Sequence, residues 1–280
     1  MQKILVFGEV LWDVFPDEKH IGGAPFNFAV HCAKQGVESY LVSAVGNDAL
    51  GNDARKEIEK HNVRADFVSE SKLPTGACMV TLDKNGSPKY NLLSSVAYDD
   101  IKSDFVRGKF DALYFGTLAL RGENNKNALR AILKNCEFSE VFCDVNLRKP
   151  NYDNESVKTC VESATIFKFS EEEMSELQYV LYGENRMETE RFIAKLHADF
   201  PNVKLVIATC GSNGSYVYKL DTDEVFFMPV VPVKVVSTVG AGDSYSATFL
   251  AEYFKGKEVL ECMKKASEVS AKIVSQKGAI

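Results

Sequence analysis

The sequence predicts an α/β protein: a mostly parallel sheet with helices on both faces, joined to a small β-rich lid. Three observations carry that expectation. Short apolar runs alternate with longer amphipathic stretches along most of the chain. Residues 9–22 and 75–94 break the alternation and hold no helical pattern. No internal repeat and no long linker divides the 280 residues, so one domain is expected.

The elements follow in order. Residues 4–7 form a continuous apolar run closed by Gly8, which suits a buried strand. Phe26, Ala29, Val30 and Ala33 recur at helical spacing within 24–35, and Gly36 stands where a helix would stop. Residues 40–45 read as a strand and 49–60 as a charged amphipathic helix. Residues 77–82 and 89–93 flank Asn85-Gly86, the strongest short hairpin signal in the chain. With residues 9–22 and the stretch to 101, this hairpin reads either as a projecting lid or as an edge extension of the main sheet. Further strand-type runs lie at 112–115, 141–143, 165–167 and 205–208, with helical patterns near 122–135, 154–162, 170–181 and 187–199. The last third holds strands near 214–219 and 224–228, a strand-like valine-proline run at 231–236, and helices over 241–255 and 258–276. The final helix puts Val259, Met263, Ala266, Ser270 and Ile273 on one face.

Hydrophobic residues make up 45% and charged residues 26%, which excludes a disordered or collagen-like chain. The formal charge, 33 − 39 = −6, implies no basic surface, so no nucleic acid and no membrane is expected as partner. Seven scattered cysteines form no C-x-x-C pair, which argues against a zinc ribbon and for reduced, packed thiols. The N-terminal apolar run is too short for a signal peptide and no stretch reaches the length of a membrane span, so a cytoplasmic protein is expected. The four histidines show no ligand spacing, and there is no G-x-S-x-G elbow.

The sharpest local feature is Ser237-Thr238-Val239-Gly240-Ala241-Gly242-Asp243-Ser244, a glycine turn opening an apolar helix. Glycines at such a turn let backbone amides converge on an anion, and the helix N-terminus adds partial positive charge. It is not a P-loop, and Tyr245 stands where a Rossmann fingerprint needs its third glycine. Asp243 would repel a phosphate unless it faces a hydroxyl about to attack that phosphate. It would equally serve as a first-turn acid complementing the helix dipole; on this octapeptide alone the two readings stand level. Either way the helix N-terminus favours its ionised form at pH 7.

Three further clusters are candidates. Gly22-Gly23-Ala24-Pro25-Phe26-Asn27 is a glycine turn into a helix with proline in the first turn, and Asn27 offers a donor and an acceptor to a polyol. Asp13 lies in an apolar stretch and can accept from two sugar hydroxyls; taken singly, helix capping for Asn27 and an exposed loop acid for Asp13 are the commoner roles. Asp144-Val145-Asn146-Leu147-Arg148 follows a strand, where ligands of open α/β sheets bind, and Arg148 suits a phosphate or sugar oxygen. Lys168-Phe169-Ser170-Glu171-Glu172-Glu173 has acids that could hold Mg²⁺ through water, or merely cap a helix.

Together these motifs resemble the ribokinase-like, pfkB-type carbohydrate kinases over nearly the whole chain. The resemblance rests on Gly22-Gly23-Ala24-Pro25-x-Asn27 near the start and Thr238-Val239-Gly240-Ala241-Gly242-Asp243 near the end, with Asp144-x-Asn146-x-Arg148 and Thr209-Cys210-Gly211-x-x-Gly214 between them in the family's order. It implies a doubly wound α/β domain with a β-rich lid, binding ATP along its C-terminal part. Asp243 would be the catalytic base, and the amides of Gly240, Ala241 and Gly242 the anion hole. Asp13, Gly23, Asn27 and Arg148 would hold the sugar; Thr209, Gly211, Gly214 and Gly242 would meet the nucleotide; Glu173 would reach Mg²⁺ through water. The Ala-Pro pair and the Ser170–Glu173 run are similar to those of fructokinases, which favours D-fructose and its phosphorylation to fructose 6-phosphate. A 2-keto-3-deoxygluconate kinase is the runner-up, since Arg148 would also suit a sugar acid. A non-catalytic sugar sensor is the reading from another class. Three departures stand out. Ser237 replaces the family's usual Asp, which leaves a monovalent cation in doubt. Ser170 replaces an Asn. The chain ends at Ile280 where relatives usually continue, which implies weaker closure over adenine. The exposed edges of the lid suggest a homodimer.

Overall fold

The computed structural model describes residues 1–82 and 88–280. Strand β1 (Lys3–Phe7) is the buried apolar run. It leads to β2 (Leu11–Val14), β3 (Lys19–Gly22) and helix α1 (Ala24–Lys34). Next come β4 (Glu38–Gly46), α2 (Ala49–Lys60), β5 (Arg64–Ser71), β6 (Gly76–Leu82) and β7 (Pro88–Leu92). The middle of the chain runs β8 (Gly108–Phe115), α3 (Glu123–Asn135), β9 (Cys136–Asp144), α4 (Asn154–Ser163), β10 (Ile166–Ser170), α5 (Glu171–Tyr182) and α6 (Thr189–Asp199). The last part is β11 (Leu205–Thr209), β12 (Ser215–Lys219), β13 (Glu224–Met228), α7 (Ala241–Phe254) and α8 (Val259–Val274).

Nine strands form the main sheet in the order β13-β12-β11-β10-β9-β8-β1-β4-β5. All pairs from β5 to β11 are parallel; β12 and β13 add an antiparallel edge. The chain leaves β1 toward β4 and later returns to its other side with β8, so the winding reverses between β1 and β8. In open α/β sheets a crevice opens at the carboxyl ends of strands flanking such a reversal.

Period-two alternation sorts the core into two layers. Leu5 and Phe7 of β1 share one apolar cluster with Leu129 of α3, Val157 of α4 and Phe192 of α6. Ile4 and Val6 share the other with Phe26 of α1, Phe249 of α7 and Met263 of α8. Both sheet faces are therefore buried, which is why these strands read as continuous apolar runs.

The segments that broke the helical rhythm form a second sheet, β3-β2-β6-β7, rather than an extension of the first. Strands β2 and β3 pair antiparallel, β2 and β6 parallel, and β6 and β7 antiparallel. Asn85-Gly86 lies outside the described residues. Strand β5 was not anticipated from the pattern. The valine-proline run at 231–236 forms no strand: it pairs with no strand among the described residues, Val236 N donates instead to Val274 O of α8 at 2.7 Å, and Pro232 offers no N–H. Among the described residues no helix is long and apolar enough to cross a membrane. All seven cysteines are free, six of them buried.

Candidate active site

The crevice beyond β1 and β8 is assembled by glycines that permit close backbone approach. Gly8, at the end of β1, has φ +149°, and a Cβ there would lie 2.4 Å from Pro25 Cγ. Gly23 caps α1 with φ +107°, and a Cβ there would lie 2.6 Å from the Glu9 carbonyl oxygen. These approaches bring the first turn of α1 onto the end of β1. Proline suits that turn because its missing N–H has no intrahelical partner anyway. Asn27 is buried one turn further on.

Helix α7 enters from the other end of the chain. Its cap, Gly240, is left-handed at φ +79° and packs on the C-terminal residues; a Cβ there would lie 2.6 Å from Ala279 Cβ. Ala279 also gives its carbonyl to the buried His31 of α1, 2.8 Å from Nε2. Of the amides expected to form an anion hole, that of Ala241 donates to Thr238 O at 3.2 Å, while those of Gly240 and Gly242 make no backbone hydrogen bond among the described residues. Unpaired N–H groups at a helix start are open to an anion.

Asp243 lies in that first turn, half-buried. Its Oδ2 accepts a 2.8 Å hydrogen bond from Nδ2 of Asn27. The glycine turn near the end of the chain and the one near its start therefore share a site. The Asn27 Oδ1 is buried with no partner among the described residues. A narrow cleft of about 10 Å³ adjoins, lined by Glu9, Ala24, Pro25, Thr117, Asp144 and Asn146.

Burial raises the Asp243 carboxyl to about 6, with Asp144 pushing the same way and Asn27, Lys168 and Arg148 opposing. The helix N-terminus favours the ionised form, as expected from the sequence, but loss of water raises the value. The group remains mostly ionised at pH 7. Burial pushes Glu9 up further, to about 7, against hydrogen bonds from its own amide and that of Ala24.

The other candidates fall around this centre. Asp13 lies on β2 of the small sheet, where a Cβ on Gly22 would be 3.1 Å from its Oδ2; burial raises its carboxyl. Arg148 is exposed, and its charge lowers both Asp243 and Glu9. Thr209 ends β11, and Gly211 and Gly214 bend the chain into β12 with φ +51° and +94°. Ser215 then meets the Tyr245 hydroxyl at 2.9 Å, tying this loop to α7. Glu173 caps α5 by accepting from Ser170 N at 2.8 Å, and its other oxygen accepts from Leu147 N. It thus clamps the loop that carries Arg148. Among the described residues no group of three or more acidic, histidine or cysteine side chains clusters as a metal site. Both Glu173 oxygens already accept from backbone amides, so this residue could hold a Mg²⁺ only through water.

The family model for pfkB family carbohydrate kinases matches residues 1–280. The chain belongs to that family. A sugar kinase of Pyrococcus horikoshii is 34% identical over 96% of this chain and 85% of its own length. Fructokinase-2 of Solanum lycopersicum is 26% identical over 95% of this chain and 86% of its own. Among solved structures, the fructokinase of Vibrio cholerae bound to fructose, ADP and calcium superposes with a TM-score of 0.82 at 25% identity, over 100% of this chain and 94% of that one. The Pyrococcus horikoshii sugar kinase in complex with ATP gives 0.79 at 29%, over 99% and 93%.

Two residues around this site were given no role from the sequence. Glu9 follows the first buried strand and is itself buried, with the α1 cap Gly23 close against it. Lys168 lies inside β10 rather than after it and pairs with Asp144 across the sheet. A charged residue within an apolar strand run was the available clue.

Proposed function

We propose that this pfkB-family protein phosphorylates the primary hydroxyl of a sugar from ATP, with D-fructose to fructose 6-phosphate as the favoured reaction. The observation that supports the reading is the Asn27–Asp243 hydrogen bond, which joins the glycine turn before α7 to the helix that follows the Gly22-Gly23 turn. Asp13, Gly23, Asn27 and Arg148 hold the sugar. Asp243 accepts the hydroxyl proton late, as the new P–O bond forms, because so weak a base cannot remove it beforehand. The amides of Gly240, Ala241 and Gly242 hold the charge that grows on the transferring group. Thr209, Gly211, Gly214 and Gly242 meet the nucleotide. Glu173 would hold a Mg²⁺ through water, and such an ion would supply neutralisation of phosphate charge. Ser237 in place of an acid leaves dependence on a monovalent cation in doubt. Support for fructose comes from the fructokinases among the relatives and from the Ala24-Pro25 pair.

The exposed Arg148 supports a second reading, a kinase of the sugar acid 2-keto-3-deoxygluconate. A coupled ADP assay with ATP and Mg²⁺ over a panel of sugars decides. Turnover of fructose is expected; turnover of the keto-acid alone reverses the order, and no turnover with any sugar favours a sensor. The free, buried cysteines support a cytoplasmic setting. Strands β3 and β7 leave the edges of the small sheet open, which supports a homodimer. Light scattering that reads a monomer at micromolar concentration refutes it.

A further inference from the structure

Lys168 and Asp144 form a buried ion pair, 2.7 Å between Nζ and Oδ2, with each side chain 5% exposed. They sit directly across adjacent parallel strands, so both point to the face covered by α7. The Ser246 hydroxyl of α7 shares its proton between Gly242 O at 2.9 Å and the same carboxylate oxygen at 3.2 Å. The ammonium lies against the first turn of α7: a Cβ on Gly242 would be 3.5 Å from Nζ.

An ammonium has three donors, and burying a charge with donors unmet is unfavourable. Among the described residues Lys168 has one acceptor. The other buried lysine, Lys126, has two carboxylates, Asp153 at 2.7 Å and Glu155 at 2.8 Å. Lys168 is thus under-partnered at the one place where an anion is expected, beneath the Gly240–Gly242 turn. We propose that Lys168 is a further donor to the transferring phosphoryl group, oriented by Asp144. This rests on the phosphoryl-transfer reading above. No proton leaves Lys168. It donates a hydrogen bond to an equatorial oxygen while Asp243 takes the hydroxyl proton, the new P–O bond forms and ADP departs. Asp144 is a positioning residue: it fixes the ammonium, and Ser246 fixes Asp144.

The test uses Lys168→Met, Asp144→Asn and the double variant, each checked by thermal melting. A purely structural pair predicts that removing both partners restores function, since no lone buried charge remains. The proposal predicts that Lys168→Met and the double variant both lose about 100-fold in kcat with sugar KM within about threefold of wild type. It also predicts that both lose the preference for a non-hydrolysable ATP analogue over ADP, measured by calorimetry. If Lys168→Met does not fold, the double variant decides. Recovery of wild-type kcat in the double variant overturns the proposal. So does an unchanged analogue-to-ADP ratio. A wild-type protein that turns over no sugar sinks the kinase reading, while that ratio still judges Lys168.

Discussion

Asn27 and Asp243 are 216 residues apart in sequence and 2.8 Å apart in space. Neither turn that carries them is a site alone. One is a helix start beside the end of β1, the other a helix start with free amides. Their meeting gives a carboxylate with an amide partner on one oxygen, unpaired backbone donors nearby, and a cleft alongside.

Replacing Asp243 by Asn removes the base and keeps the shape. The expected result is a fall in kcat of about 10³-fold with sugar affinity nearly unchanged, read by steady-state kinetics and calorimetry. A loss of only about tenfold would exclude a general-base role.

The pH profile follows from the same group. Asp243 must be ionised to accept a proton, and its carboxyl titrates at about 6. Activity should therefore fall as pH drops through 6. The Asn27 hydrogen bond lowers this value, so Asn27→Ala should move the acid limb to higher pH. Profiles of kcat from acid to mildly alkaline pH for both proteins check the direction; a limb that stays put or moves down contradicts it.

Glu9 should leave a mark on stability. Its ordinary carboxyl value is 4.5, raised to about 7 in the fold. Between those values the native state holds a proton that the unfolded chain has released. The associated stability is present below 4.5 and is lost as pH rises through 7. His31 acts with the other sign, since burial lowers it to about 4 and stability is lost as pH falls from 6.5 toward that value. Melting temperatures of wild type and Glu9→Gln across this range isolate the first effect. The gap should favour the variant increasingly toward alkaline pH; a constant gap would show that Glu9 titrates normally.

Two glycine substitutions separate strain from function. Gly240 and Gly36 both have left-handed backbones, at φ +79° and +83°. A Cβ at Gly240 meets the backbone of Ala279, while one at Gly36 meets nothing within 4 Å. Gly36→Ala should cost about 1 kcal/mol of stability and leave the KM for ATP alone. Gly240→Ala should cost about 1–3 kcal/mol and raise that KM, because the anion turn must shift. Equal effects on ATP would sever the link between Gly240 and the nucleotide.

Much was decided by sequence alone, because periodicity and turn chemistry are local. The alternating apolar runs specified which strands would be buried on both faces, and the glycine turns marked both helix starts and Asp243 as a candidate. What depends on neighbours distant in the chain came only with the tertiary structure. Residues 9–22 and 75–94 form a second sheet because β2 pairs with β6, a choice their own patterns left open. The run at 231–236 is no strand because no strand among the described residues pairs with it. Asp243 and Glu9 are raised rather than lowered because water is excluded around them by elements far along the chain, and desolvation has no signature in a short stretch of sequence.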